Sequence, residues 1–175
     1  MGLMDALVAF LSCLTAAVLL VAGIDKLVAP TKLASALRDA LPLLGRLIND
    51  TTVRGAAAVE VATAVSLNIT ALRVPAAIGA GALGFAFAVA GAGGWLQKST
   101  KACGCLGRFG THPLGPRNLA AGIALIAVAV LHAQQAQLDF FSSTIGTVVG
   151  ALALVLVLNR SIVQEFTRPL EAAGQ

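Results

Sequence analysis

Apolar residues run almost unbroken through residues 3–28, 54–72, 76–96, 118–136 and 140–158, with polar residues gathered in short intervals between them. A helix needs roughly 20 apolar residues to cross a hydrocarbon core of about 30 Å. The pattern therefore predicts an all-α, polytopic transmembrane helical bundle of four to five spans, folded as one domain over residues 1–175. Asp25-Lys26 closes the first run, and Pro30 stops its helix because proline has no N–H to donate.

Two intervals depart from this pattern. In residues 31–49, Leu33, Leu37, Leu41, Leu44 and Ile48 recur at helical spacing opposite Lys32, Arg38, Asp39 and Arg46. That is too much charge to cross, and it predicts an amphipathic helix lying in the interface plane. Residues 97–117 are the long polar interruption of the second half, with four glycines, two prolines, four basic residues and Cys103-Gly104-Cys105. Within the third run Ala76, Ala80, Gly84, Ala88 and Ala92 form a stripe of small side chains, as expected where membrane helices pack closely.

Composition supports the same class. Hydrophobic residues make up 58% of the chain and charged residues 11%, against about 25% charged in soluble domains. The net charge of +4 comes without any basic run interleaved with aromatics, so no nucleic-acid partner is expected. Residues 1–22 lack the positive start and cleavage site of a secretory signal, so a retained first helix is expected. With five spans, eleven of the twelve Lys/Arg residues fall on one side and Arg73 stands alone on the other. The positive-inside rule then predicts a multi-pass plasma-membrane protein with its N-terminus outside and the Cys-Gly-Cys loop cytoplasmic.

The cysteine pair carries the most chemistry. Two cysteines two residues apart can close only a small ring, for which Gly104 gives backbone freedom. A strained, exposed disulfide exchanges readily. Lys98, Lys101 and Arg108 nearby would favour the thiolate. Thiol–disulfide exchange is one reading, and metal handling by Cys103, Cys105 and His112 is another. Two incidental loop cysteines on a non-catalytic membrane scaffold are a third. Glu60 lies inside an apolar run, where an ionisable group is expensive and usually paired or functional. Lys26 and Arg117 are better partners for it than Arg54, which sits over a turn away on the same helix. Its role is a helix clamp or the lining of a transport path. Cys13 reads as a small buried residue, and His132 as interfacial. No cofactor motif is present, and electron transfer across the bilayer would need a second redox group such as Cys13 or a quinone.

Several of these features occur together in a known pattern. GIDKLVAP at residues 23–30 precedes an amphipathic stretch, Glu60 lies in the second run, CGCLG occupies residues 103–107 and Arg117-Asn118 opens the fourth run. The set resembles the methylamine utilisation protein MauE family, a branch of the DoxX-like membrane proteins, over roughly residues 5–135. The resemblance implies a multi-pass protein that works with thioredoxin-like partners in disulfide formation or maturation of exported proteins, such as methylamine dehydrogenase. It also implies Cys103 and Cys105 as the redox pair, with Lys26, Glu60 and Arg117 as polar positions of the family. It places the chemistry outside the cytoplasm, against the charge count.

Overall fold

The computed structural model describes residues 3–100, 113–134 and 145–153. Its helices are α1 (Leu3–Val28), α2 (Thr31–Ala40), α3 (Asp50–Ser66), α4 (Arg73–Leu96), α5 (Pro116–Gln134) and α6 (residues 145–153), with no β-strand among the described residues. The expected helical membrane bundle is the observed class. Three helical stretches, Leu7–Val28, Thr70–Leu96 and Pro116–Gln134, are long and apolar enough to cross a bilayer. Both ends of the predicted fifth span (residues 140–144 and 154–158), the preceding residues 135–139 and the tail after 158 lie outside the described residues, as do residues 101–112 of the Cys-Gly-Cys loop.

The interval 31–49 is not one helix. Pro42 removes a donor and disfavours helical backbone at Leu41, so α2 ends at Ala40 and a 3-10 turn follows at Pro42–Leu44. The apolar side of α2 is covered by its neighbours. Leu33 and Ala34 pack with Val53 of α3, while Ala36 and Ala40 pack with Ala90 of α4 and Leu114. Small alanines, rather than the leucine row alone, make the close contact. Arg38 braces the connection by donating from Nε to the Ile48 carbonyl at 2.7 Å. Asn49 then caps α3: its Oδ1 accepts from the Thr52 N–H, and its own N–H donates to Thr52 Oγ1, both at 2.9 Å.

Successive long helices run antiparallel, and α1, α3, α4 and α5 close into a ring in that order. The core threads through all four, with Ala16 and Leu19 of α1, Ala64 of α3, Ala80 and Leu83 of α4, and Leu125 and Ala129 of α5. Outward-facing Phe10, Ile78 and Phe85 are 63%, 67% and 65% exposed, a ring of large apolar side chains that suits lipid rather than water. Between lipid-embedded helices, close packing of small residues replaces the hydrophobic effect as the source of association. The α4–α5 seam follows that rule, because a side chain on Gly84 would meet the Gly122 carbonyl and Ile126, and one on Gly91 would meet Leu119 and Asn118. The predicted stripe holds from Ala76 to Ala88 and then passes through Gly91 instead of Ala92, since a helix turns every 3.6 residues and a four-residue row drifts off the contact.

This arrangement gives the bundle two ends. One, the loop end, gathers the C-terminus of α1, all of α2, the start of α3, the C-terminus of α4 and the start of α5. At the far end, α6 comes in beside α1, with Gly146 against Cys13 and Gly150 against Ala17.

Candidate functional site

Lys26 lies in the last turn of α1 and Glu60 past the middle of α3. They face one another because Gly23, one turn before Lys26, has no side chain. A Cβ there would stand 2.8 Å from Val61 Cγ2, 3.0 Å from the Ala57 carbonyl oxygen and 3.2 Å from Glu60 Cβ. The two helices therefore approach to backbone contact at this point. Lys26 Nζ donates to both carboxylate oxygens of Glu60, at 2.6 and 2.7 Å. The side chains are 1% and 3% exposed. The ammonium also stands 4.9 Å from the centre of the Phe87 ring of α4, whose negative face attracts a cation. Burying either charge alone would cost several kcal/mol; paired, with both oxygens used, the cost is largely met.

Of the two partners foreseen for Glu60, Lys26 is the one that binds it. Arg117 sits at the same end of the bundle but in the first turn of α5, where its exposed side chain lines a separate cavity with Trp95 and Lys98. Arg54 is exposed at the other edge of α3. Cys103, Cys105, Lys101, Arg108 and His112 lie outside the described residues. Their flanks are described: α4 ends and α5 begins side by side at the loop end, where Leu114 fills the space left open at Gly94. No group of three or more His, Cys, Asp or Glu side chains gathers among the described residues.

Two buried polar contacts at the far end escaped the sequence. His132, expected at the interface, is 3% exposed and shares a 3.0 Å hydrogen bond between its Nδ1 and Ser12 Oγ of α1. The correction has a simple cause: a buried partner satisfies the ring, so it need not reach water. Thr147 of α6 donates to Asn68 Oδ1 at 2.9 Å, while Asn68 Nδ2 donates to the Ala64 carbonyl at 2.9 Å. Polar residues inside apolar runs were the only available signal, and it does not say which ones meet. Cys13 lies thirteen residues before Lys26, about 20 Å along α1 at 1.5 Å per residue.

The buried Lys26–Glu60 pair, the glycine that admits it, and a Cys-Gly-Cys segment spliced between α4 and α5 define the chain's polar plan. A model of the methylamine utilisation protein MauE family matches residues 4–135. The chain belongs to the MauE family. The match takes in α1 through α5, hence Lys26, Glu60, both loop cysteines and Arg117, and ends before α6. It names the MauE family and does not extend to the wider DoxX-like group. No curated protein and no solved structure matches the chain. In this MauE-family protein the ion pair joins the first two long helices beneath the end from which the cysteine loop departs.

Proposed function

We propose that this protein supports thiol–disulfide exchange with a thioredoxin-fold partner through Cys103 and Cys105. The observation that carries the reading is the Cys-Gly-Cys sequence in the α4–α5 loop of a MauE-family chain. In the step itself, the thiolate of one cysteine attacks a sulfur of the partner's disulfide. A mixed disulfide forms and the partner's second sulfur leaves as a thiolate. The remaining cysteine, deprotonated, attacks the mixed disulfide and releases the reduced partner. Two electrons pass from the loop pair to the partner, two protons balance them, and the reverse sequence oxidises the pair. Lys101 and Arg108 would favour the thiolate electrostatically, and His112 would accept its proton. Lys26 and Glu60 hold α1 to α3 under the loop end as a clamp. Maturation of an exported disulfide-containing protein, such as methylamine dehydrogenase, is the physiological setting the family suggests.

The test is capture. Cys103→Ser or Cys105→Ser, expressed in full-length protein in its own membrane, leaves one cysteine unable to resolve the mixed disulfide. A thioredoxin-fold protein should then appear as a covalent adduct on a non-reducing gel and disappear with reductant. If neither variant captures a partner while both lose bound metal together with His112→Ala, the pair is a metal site and the exchange reading is wrong.

A further inference from the structure

A cavity of about 570 Å³ opens between the end of α4 and the start of α5. Trp95, Lys98, Ser99 and Arg117 line it, together with Pro113 and Pro116, and among the described residues no acidic side chain lines it. Three features set it apart from an ordinary gap at a helix end. It places two cations around one opening. The Ser99 hydroxyl oxygen is buried without a hydrogen-bond partner among the described residues, an arrangement proteins usually avoid. The backbone at its mouth is also held in an unusual state. Lys98 has φ 50° and closes α4 where glycine is the usual residue, with the Ser99 N–H on the Gly94 carbonyl and the Lys98 N–H on the Trp95 carbonyl. Trp95 is 59% exposed and belongs to the aromatic side chains that suit the membrane–water boundary.

We propose that this cavity binds the phosphate of an anionic group. Lys98 and Arg117 supply the charge, and the Ser99 hydroxyl donates its otherwise unmade hydrogen bond to a phosphate oxygen. The start of α5 lies at the same opening, and the positive end of its dipole favours an anion there. The phosphate belongs to a lipid headgroup or is free in the adjacent water. The proposal does not depend on the exchange reading.

Trp95 is the only tryptophan in a chain without tyrosine, so its fluorescence reports this cavity directly. The full-length protein in nanodiscs would be titrated with brominated phosphatidylglycerol, brominated phosphatidylcholine and, separately, inorganic phosphate. Preferential quenching by the phosphatidylglycerol, lost by roughly fivefold in each of Lys98→Gln and Arg117→Gln, assigns a lipid headgroup. A saturable response to inorganic phosphate that the same variants weaken assigns a soluble anion. Equal quenching by both lipids with no phosphate response overturns the proposal, and so does a preference that survives both substitutions. Lys98→Gly provides a variant that removes the cation while relaxing the left-handed backbone, so loss of binding there cannot be blamed on misfolding. Ser99→Ala should weaken the same response without altering helix content.

Discussion

At the scale of single residues, Lys26 and Glu60 are each tolerable in the bundle only because the other is present. Removing one leaves a buried charge alone, a loss of about 3–5 kcal/mol, whereas replacing both with apolar residues of similar size is often neutral or better. Lys26→Met and Glu60→Gln should therefore each lower the unfolding temperature of the detergent-solubilised protein, followed by circular dichroism. The double variant Lys26→Met/Glu60→Leu should recover most of the loss and still trap a mixed disulfide when combined with Cys105→Ser. A double variant no more stable than the singles would mean the pair is not a clamp. Glu60 was conspicuous in the sequence because an acid in an apolar run is rare. Its partner was narrowed but not fixed, because 34 residues separate it from Lys26 and only the approach of α1 to α3 brings them together. Gly23 makes that approach. Gly23→Ala would press against the Ala57 carbonyl, which cannot rotate away, and should cost about 1–3 kcal/mol. Gly55→Ala on α3 meets nothing within 4 Å and should be neutral or raise stability by up to about 1 kcal/mol through helix propensity. Thermal melts of the two variants side by side check the contrast.

At the scale of elements, the α4–α5 seam depends on missing side chains. The small-residue stripe of the third run was legible from spacing alone, and so was its meaning as a packing face. The facing glycine was not: Gly122 sits in a run rich in alanine and leucine, and nothing local distinguishes it. Across the seam a Cβ on Gly122 would collide with backbone atoms of Gly84 and Ala88. Gly122→Leu should therefore force the helices apart and cost about 1–3 kcal/mol or more. Gly81→Ala, whose nearest neighbour is Ala129 Cβ at an ordinary 3.9 Å, should be accepted. Unfolding in the same detergent would rank the two, and equal stability would mean that α4 and α5 do not meet at Gly122. The break at Pro42 shows the opposite kind of limit. The leucine row through residues 31–49 keeps helical spacing, yet one proline outweighs the periodicity because it acts on the backbone.

For the molecule as a whole, the open question is which way the bundle faces. Helix α3 has 17 residues, about 25 Å, and is too short and polar to qualify as a span by itself. Even so, it reaches from Glu60 beside Lys26 at the loop end to Ala64 and Leu67 beside Ala16 and Leu19, and on to Asn68 beside Thr147. Among the described residues, the loop end thus collects the helix starts and ends that the hydropathy pattern put on one side. The structure also changes the charge count behind the predicted orientation. Lys26 is neutralised by Glu60 and no longer counts as a loop charge, which leaves, among the described residues, Lys32, Arg38, Arg46, Arg54, Lys98 and Arg117 at that end against Arg73 at the other. By the positive-inside rule that asymmetry still predicts a cytoplasmic loop end. Cysteine variants Leu47→Cys at the loop end and Thr70→Cys at the far end, in a chain with Cys13, Cys103 and Cys105 changed to Ser, would report the two sides to a membrane-impermeant maleimide. The charge count predicts that intact cells label Thr70→Cys at once and Leu47→Cys only after permeabilisation. The reverse result would put the cysteine loop outside, facing an oxidising compartment. The exchange chemistry would then serve an exported client directly, without any redox group needed to carry electrons across the bilayer.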